Sequence, residues 1–545
     1  MSTFNTSAPK HLVYENELLK LTVLGGIRLE VLDRMQVTLK IESRQVAIRH
    51  NLDLYNDHQT TKLIRKTAER LEVGTSIADQ AIAELTNKLE AYRLEQLEKE
   101  KQAEVYQSPA LTPEEQRAAQ AFLEESNLLQ RTNEHIGQSG VIGEETNRLL
   151  MYLIFTSRKT AQPLHVVSLG ASGTGKTHLQ EKVGELIPED DKVEMTTLSE
   201  NAFYYFGQQE LRNKLILIED LDGVENALYP LRELQSKKRI SKTVAHKNTK
   251  GETRTIHLTV EGPVSVAGCT TKEQIYEDNA NRSFLIYLDE SEEQDKKIMN
   301  YQRRASAGKI STEEEQAAAQ LLRNSQRLLE PIKVINPFAE KLNIPQEVFK
   351  PRRTNSHYLQ FIEVVTYYHQ HQREQKVNKA TGEVFIETTL EDIAAANSLL
   401  KETLLRKSDE LSGATRNYFE QLKQYLKQRA EENKGQPDTG QFKNQEARKA
   451  LRVSPSQQKR YMVQLQAEGL VLKTQQGKGN QKQGFVYQVI NEKEYETLKQ
   501  RIASVLDEAL NQLKTKEAVQ QTKAVRSTKR TASSQPQQEK EQAVR

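Results

Sequence analysis

The sequence predicts a protein of several domains built around an α/β core. Three observations predict that core: an apolar run at His165–Leu169, the glycine-rich loop and helical pattern that follow it, and later apolar runs that begin near 215, 263 and 284. Apolar runs of strand length that alternate with helical segments are typical of an α/β fold. Because 545 residues exceed what one hydrophobic core supports, three or four domains are expected.

Composition narrows the functional class. A net charge of only +3 means that any contact with nucleic acid must come from local basic patches. The single cysteine, Cys269, excludes a disulfide framework and a cysteine-based zinc site. The sequence has neither a signal-peptide pattern nor an apolar run of about 18 residues, so a cytoplasmic protein without a membrane partner is expected.

Changes in composition predict the domain organisation. Strand-like alternation around Gly25-Gly26 predicts a hairpin, and two helical patterns that meet near Gly74 complete a small α+β domain. Thr112-Pro113-Glu114-Glu115 has the form of a capping box and marks the start of the core. The predicted units are an N-terminal α+β domain at 1–107, the core at 108–308, a helical segment at 309–430, a further domain at 440–491 and a disordered basic tail at 514–545.

The glycine-rich loop matches the phosphate-binding pattern G-x-x-x-x-G-K-[ST]. Glycines let backbone N–H groups surround phosphates, and the following helix adds a partial positive charge. Lys176 is predicted to contact the β- and γ-phosphates of ATP, and the Thr177 hydroxyl to bind Mg²⁺. A glycine-rich turn without a ligand is the alternative. The predicted ATP-binding residues of the loop are Gly170, Ala171, Ser172, Gly173, Thr174, Gly175, Lys176, Thr177 and His178.

A carboxylate strand is the second part of a nucleotide-hydrolysing site, and LILIEDLD at 215–222 has the required form. Glu219 is predicted to hold Mg²⁺, and Asp220 is predicted to orient the attacking water. An ordinary buried strand followed by a polar turn is the alternative.

Two later segments contribute further catalytic candidates. The apolar run after Gly262 ends in Thr270 and Thr271, whose hydroxyl groups can sense the γ-phosphate or position water. Arg282 precedes the next apolar run and is predicted to be an arginine finger that reaches a neighbouring subunit's nucleotide. A surface arginine at the start of a strand is the alternative.

This order of phosphate loop, carboxylate strand, threonine-ended strand and arginine resembles that of AAA+ ATPases. IEDLD is similar to the IDEFD motif of minichromosome-maintenance helicases, and NRSFLIYLD is similar to their S-R-F segment. Residues from about 50 to 490 resemble the ATPase portion that follows the zinc-ribbon and Toprim parts of bacterial and mobile-element DNA primases, through stretches such as GVIGEETNRLLMYL and FYYFGQQELRNKLILIED.

Two features differ from these families. The chain has neither a Toprim carboxylate cluster nor a cysteine ribbon, so primer synthesis is not implied. The acidic pair is also reversed relative to the helicases, which places the shorter Asp220 at the water position. This reversal affects the expected rate of hydrolysis but not ATP binding.

The resemblance implies an AAA+ core with a helical lid at 309–430, ATP and Mg²⁺ as cofactors, and a homo-oligomeric ring. In the lid, Arg352 or Arg353 would sense the γ-phosphate, as the lid arginine of this class does. Single-stranded DNA in the ring pore and a separate primase are the partners that it suggests.

Between the acidic and the threonine-ended strands, residues 240–260 predict a β-hairpin with Lys247, Lys250 and Arg254 near its tip. The insertion resembles the pore hairpin of hexameric helicases, which tracks the phosphates of a strand inside the ring. A solvated hairpin whose lysines keep the protein soluble is the alternative.

Residues 445–489 predict a winged helix-turn-helix, in which a short helix, a second helix capped by Ser454 and a basic-tipped hairpin follow one another. Such a module contacts duplex DNA, although winged helices also bind proteins. The predicted DNA-binding residues of this module are Gln457, Gln458, Lys459, Arg460, Lys473, Lys478 and Lys482.

Three histidines, His357, His369 and His371, occur in a predicted helical segment. The last two point to different faces of a helix, so exposed polar histidines are expected here rather than a metal site.

Two functions are consistent with these patterns. The first is an ATP-dependent DNA translocase or helicase that acts in the replication of a bacterial mobile element. The second is an ATP-gated DNA-binding initiator or regulator that uses nucleotide only as an assembly switch. The reversed acidic pair favours the second function, and the basic hairpin favours the first.

Overall fold

The computed structural model divides the chain into two compact units. One unit comprises residues 1–108 and 242–258, and the other comprises residues 109–241 and 259–545. The structure describes every residue except 1, 7, 30–33, 45, 105–109, 200, 248–252, 273–281, 433–439, 475–484 and 517–545. Within this described part, no helix combines the length and the apolar character needed to cross a membrane.

The first unit begins with an antiparallel β domain. Its strands pair in chain order and are β1 (Thr3–Asn5), β2 (His11–Glu15), β3 (Lys20–Leu24), β4 (Gln36–Ser43) and β5 (Val46–Asp53). Two helices follow, α1 (Asp57–Leu71) and α2 (Thr75–Glu104). One face of α2 is buried in the same hydrophobic cluster as the strands, through Ala81, Leu85, Leu89 and Tyr92. Ala78 is also buried, whereas Ile77 is exposed.

The predicted two-residue hairpin at Gly25-Gly26 is wrong. Strand β3 ends at Leu24 and its partner β4 begins at Gln36, so a longer connection joins them. Both glycines have positive φ, and a Cβ atom on Gly26 would lie 2.5 Å from the carbonyl oxygen of Pro9. The glycines therefore permit a close backbone approach rather than a tight turn between paired strands.

A parallel five-stranded sheet forms the centre of the second unit. Its strands are β6 (His165–Leu169), β7 (Lys192–Met195), β8 (Lys214–Ile218), β11 (Val264–Thr270) and β12 (Phe284–Tyr287), in the order β12-β6-β11-β8-β7. In the chain, the predicted hairpin follows α7 and precedes β11, with β9 at Arg239–Lys247 and β10 at Thr253–Glu261, and its residues 242–258 belong to the first unit. Every side chain of β6 and β11 is buried, and strands buried on both faces read as continuous apolar runs.

Helices pack on this sheet and on one another. They are α3 (Pro113–Leu123), α4 (Leu128–Gln138), α5 (Glu145–Thr156), α6 (Lys176–Gly184), α7 (Leu228–Lys237), α8 (Glu292–Ser306), α9 (Thr312–Leu328), α10 (Pro351–Tyr368) and α11 (Leu390–Ser408). The capping box at Thr112 is confirmed, because its hydroxyl accepts from the Glu115 N–H and the Glu115 carboxylate accepts from the Thr112 N–H.

The segment predicted as a helical lid differs from that prediction in two ways. Buried residues of α10 and α11 belong to the same hydrophobic cluster as α5 and the central sheet, so these helices share the core of that sheet. The segment also contains a small sheet that the sequence did not predict, formed by β13 (Lys333–Ile335), β14 (Lys376–Val377) and β15 (Val384–Glu387).

The C-terminal module contains the two predicted helices and the two predicted hairpin strands in order, preceded by a helix and a strand that the prediction did not include. Its elements are α12 (Gly413–Glu432), β16 (Gln441–Lys443), α13 (Asn444–Ala450), α14 (Pro455–Ala467), β17 (Val471–Thr474) and β18 (Val486–Val489). Tyr418 and Phe419 of α12 share a hydrophobic cluster with Met462 and Leu465 of α14. Helix α12 therefore packs in the core of this module, although the sequence placed it before a domain border at 430–440.

A further helix, α15, covers residues 494–516. Its apolar residues Ile502, Leu506 and Leu510 join the hydrophobic cluster of the sheet and α11, and Lys401 of α11 pairs with Asp507 at 2.9 Å. The predicted basic tail therefore begins within a helix at 514–516, and its remainder, 517–545, lies outside the described residues.

The prediction of exposed histidines is wrong for His369. It is buried at the end of α10, where its Nδ1 lies 2.8 Å from the Val365 carbonyl oxygen and 3.3 Å from Asp392 Oδ1. His357 is half-buried, with its ring centroid 5.5 Å from that of Phe284. These side chains are covered because α10 packs against α5 and α11, which helical periodicity alone does not reveal.

Candidate functional site

The phosphate loop connects β6 to α6 at the carboxyl edge of the sheet. Its glycines adopt positive φ, with values of 153° at Gly170, 84° at Gly173 and 92° at Gly175, a region that residues with a Cβ atom rarely occupy. A Cβ atom on Gly170 would also lie 3.2 Å from Thr174 Oγ1. The local sequence therefore folds as its pattern predicts, because glycine is required where the backbone turns.

Lys176 is held against the loop that it follows. Its side chain is buried, and Nζ donates hydrogen bonds to the carbonyl oxygens of Gly170, at 2.9 Å, and of Ala171. The ammonium group is thus fixed inside the curve of the loop. A triphosphate in the loop would offer it anionic acceptors in place of these neutral carbonyl groups.

The ends of three parallel strands meet beside this lysine. Thr270 pairs with Leu169, and Gly268 pairs with Ile218, so β6, β11 and β8 end at the same edge. Burial raises the pKa of the Cys269 thiol to about 12, while the Thr177 hydroxyl, Lys176 and Asp220 are all near enough to influence it. The loop, the predicted Mg²⁺-binding hydroxyl and the acidic segment therefore converge.

The acidic segment presents three carboxylates with different surroundings. Glu219 and Asp220 are exposed at the sheet edge, where the predicted roles require them to reach Mg²⁺ and water. Asp222, which the sequence reasoning passed over, accepts hydrogen bonds from the hydroxyls of Thr270 and Thr271 at 2.6 and 2.9 Å. In the sequence, Asp222 is recognisable only as the third acidic residue of IEDLD. Its partners, Thr270 and Thr271, lie nearly 50 residues away, so no local pattern connects them to it.

Comparison with known proteins supports this assignment of the loop. Residues 112–330 match the family model described as the MTBMA_p00010 P-loop domain. This part of the chain is a P-loop NTPase domain. No curated protein matches the chain significantly. P-loop NTPases typically bind a nucleoside triphosphate with Mg²⁺, and the donor set of Lys176, Thr177 and the acidic pair fits both groups.

Arg282 lies at the other edge of the P-loop domain's sheet. It precedes β12, whose first residue, Phe284, pairs with Val166 near the start of β6. The Nε of Arg282 donates a hydrogen bond to Ser236 Oγ at 2.9 Å. Burial, together with the positive charge of Arg282, lowers the pKa of His165 to about 3. Since five residues of strand span roughly 13 Å from His165 to the phosphate loop, Arg282 does not reach the nucleotide site of its own chain.

The prediction that Arg352 or Arg353 senses a γ-phosphate stays a prediction. Both arginines belong to the first turn of α10, which begins at Pro351. Burial, followed by the charge of Arg353, lowers the pKa of Lys407 to about 8, and Lys407 Nζ lies 5.5 Å from the ring centroid of Phe284. Arg353 therefore groups with Arg282 at the amino edge of the sheet.

The predicted DNA-contacting residues of the C-terminal module divide into two groups. Gln457, Lys459, Arg460 and Lys473 are exposed. Gln458 is buried, however, and its Nε2 donates to the hydroxyl of Tyr418 and to Asn444 Oδ1. The prediction for Gln458 is wrong because its face of α14 packs on α12. Lys478 and Lys482 lie outside the described residues.

The basic hairpin is described only as backbone near its tip. Lys250 lies outside the described residues, as do the side chains of Lys247 and Arg254. The strands pair as predicted, and Thr243 Oγ1 lies 2.9 Å from His257 Nδ1 across them. Their roles in DNA binding stay predictions.

A cavity of about 210 Å³ joins the phosphate loop to the C-terminal module. Gly170, Ala171 and Thr271 line it from the P-loop domain, and Gln457 and Tyr461 line it from α14. The sequence did not predict this arrangement. Its consequence is that the helix predicted to contact DNA borders the nucleotide site.

Proposed function

We propose that this protein is an ATP-dependent DNA translocase of the AAA+ type that works as a homo-oligomeric ring in the replication of a mobile element. ATP would bind at the phosphate loop with Mg²⁺ held by Thr177 and Glu219, and Asp220 would orient the attacking water. Bound Mg²⁺ would neutralise part of the negative charge of the triphosphate. Lys176 would orient the β- and γ-phosphates.

The position of Arg282 is the observation that carries this proposal. It lies at the amino edge of the sheet, whereas the phosphate loop lies at the carboxyl edge. An arginine in this place can stabilise the charge of the reacting phosphate only in a neighbouring subunit. Arg353 lies at the same edge, is exposed and adds positive charge to the surface that would face that neighbour. The arrangement therefore favours nucleotide sites shared between subunits of a ring.

The hairpin provides a path from the nucleotide site to DNA. It begins after α7, which follows the acidic strand, and it ends at β11, which carries Thr270. Short stretches of chain therefore connect both ends of the hairpin to elements that carry residues of the nucleotide site. Its basic residues would hold phosphates of a single strand by charge and move with the nucleotide state.

Replacing Lys247, Lys250 and Arg254 together with alanine is expected to abolish DNA-stimulated ATP turnover and strand separation. Basal turnover should persist, because the phosphate loop and the acidic pair stay intact. Loss of three phosphate contacts should lower the salt slope of single-strand binding by about two units. Single-strand affinity across a salt series and turnover with and without DNA measure both effects.

The matched control replaces three exposed lysines outside the hairpin, Lys296, Lys297 and Lys309, with alanine. It removes the same positive charge and should leave the salt slope and the DNA stimulation unchanged. Equal behaviour of the two triple variants would contradict the translocase proposal.

The cavity at the phosphate loop favours a second candidate function, an ATP-gated DNA-binding initiator. Because Gln457 and Tyr461 line the cavity with Gly170, occupation of the nucleotide site can alter how α14 is held. In that case, replacing Lys459, Arg460 and Lys473 with alanine should abolish all DNA binding, and the hairpin variant should bind DNA normally. A translocase would retain single-strand binding in the first of these variants.

A further inference from the structure

The threonine pair at the end of β11 donates its hydroxyl hydrogens to a single carboxylate. Asp222 Oδ1 accepts from Thr270 Oγ1 at 2.6 Å, and Asp222 Oδ2 accepts from Thr271 Oγ1 at 2.9 Å. Asp222 Oδ2 also accepts from the backbone N–H of Thr271 at 3.1 Å. Although partial burial acts in the opposite direction, these hydrogen bonds lower the pKa of the Asp222 carboxyl, so it is ionised at neutral pH.

An ionised carboxylate accepts hydrogen bonds and donates none. Each threonine hydroxyl has one hydrogen, and in this structure that hydrogen is directed to Asp222. The two hydroxyl groups therefore cannot donate to a γ-phosphate while these bonds last. They can only accept further hydrogen bonds. A water molecule can donate such a bond to them, whereas an anionic phosphate requires donors.

The two threonines differ in what they can reach. Thr270 is buried, and its Oγ1 also accepts from the backbone N–H of Lys272 at 3.1 Å. Thr271 is exposed and lines the cavity that Gly170 and Ala171 border. Only Thr271 can therefore contact a water molecule beside a phosphate in the loop.

Asp220, which is predicted to orient the attacking water, also contacts Asp222. The backbone N–H of Asp222 donates to Asp220 Oδ1 at 2.9 Å, which leaves the other oxygen of Asp220 for water. Asp222 thus fixes the hydroxyl of Thr271 through its side chain and the carboxylate of Asp220 through its backbone.

We infer that Asp222 is a positioning residue for ATP hydrolysis, which turns the Thr271 hydroxyl so that it accepts a hydrogen bond from the attacking water. In the reaction, the water oxygen bonds to the γ-phosphorus, the bond from that phosphorus to the β–γ bridging oxygen breaks, and ADP leaves with the electron pair. One water proton leaves through the carboxylate of Asp220, and the other stays on the phosphate product. The inference rests on the hydrolysis step of the proposed function and is independent of DNA.

The test compares Asp222→Ala, Thr271→Val and their double variant. Each single change should lower basal kcat by about 10- to 100-fold, the factor expected for one hydrogen bond to a charged group. The affinity for ATP should change by less than about threefold, since the phosphate contacts stay. The double variant should be no slower than Asp222→Ala, because the two residues act as one unit.

Two matched variants separate positioning from structural support. Thr271→Ser keeps the hydroxyl and should restore turnover. Thr112→Val removes a threonine hydroxyl that donates to a carboxylate outside the nucleotide site, Glu115, also at 2.9 Å, and its kcat should stay within about threefold of the parent. Equal losses in Thr112→Val and Thr271→Val, or additive losses in the double variant, would overturn the inference. So would weaker ATP binding with unchanged kcat, which is the result for a γ-phosphate sensor.

Binding of ADP with aluminium fluoride supplies a readout without turnover. Asp222→Ala and Thr271→Val should weaken it by the same factor by which they lower kcat, and unchanged binding would contradict the inference. Every measurement in this test is made without DNA. If the protein neither bound DNA nor hydrolysed ATP faster in its presence, the translocase proposal would be overturned, but this inference would stand.

Discussion

Lys176→Ala is expected to weaken ATP binding by roughly 100-fold or more while the fold survives. The ammonium group is the charged donor inside the phosphate loop, and hydrogen bonds between charged groups contribute the most to phosphate binding. The helix that carries Lys176 keeps its packing, because Leu179 and Val183 hold it in the hydrophobic cluster. Equilibrium titration with a fluorescent ATP analogue and thermal unfolding measure the two parts of this expectation.

Lys182→Ala is the matched control for this change. Lys182 lies on the same helix, but its ammonium group pairs with Glu185 at 2.9 Å on the surface. Its loss should leave ATP affinity unchanged. A Lys176→Ala protein that bound ATP as tightly as the control would show that the loop does not hold the triphosphate.

Arg282→Ala is expected to lower ATP turnover by about 10³-fold, as loss of an arginine finger does. ATP affinity should stay near that of the parent, because Arg282 lies at the amino edge of the sheet, far from its own chain's loop. The change removes a hydrogen bond to Ser236, so Ser236→Ala tests whether that bond alone matters. Steady-state turnover and ATP affinity, each measured on assemblies of known size, separate the two effects.

Mixing Arg282→Ala with Lys176→Ala tests action between subunits. An Arg282→Ala subunit retains its phosphate loop, and a Lys176→Ala neighbour can still present an intact arginine to it. Mixed assemblies should therefore regain part of the turnover that each variant lacks alone. If assemblies shown to contain both variants stay inactive, Arg282 does not act on a neighbouring subunit.

Much of the phosphate site could be predicted from the sequence because it depends on neighbouring residues. The glycines set the backbone of the loop, and Lys176 contacts carbonyl groups only five and six residues away. The caps at Thr112 and Ser454 are also local, since each hydroxyl bonds an N–H three residues later. The central strands were recognisable because burial on both faces makes each of them a continuous apolar run.

Errors arose where a side chain depends on a partner distant in the chain. Gln458 lies on the predicted DNA-binding helix, yet its hydrogen bond to Tyr418 crosses 40 residues and buries it. Helix α15 has a clear apolar repeat, but its docking against α11 depends on a contact with Asn397 across 109 residues. Periodicity reports that a face is apolar and does not report which element covers it.

For the same reason, the sequence predicts the motifs of the nucleotide site but not their arrangement in space. Residue types and spacing were enough to identify the loop, the acidic strand and the threonine-ended strand, because each motif is continuous. Which hydroxyl meets Asp222, and on which edge Arg282 and Arg353 lie, depends on the order β12-β6-β11-β8-β7. That order results from how the strands pair and how the helices bury the sheet, and these interactions join residues that are far apart in the sequence.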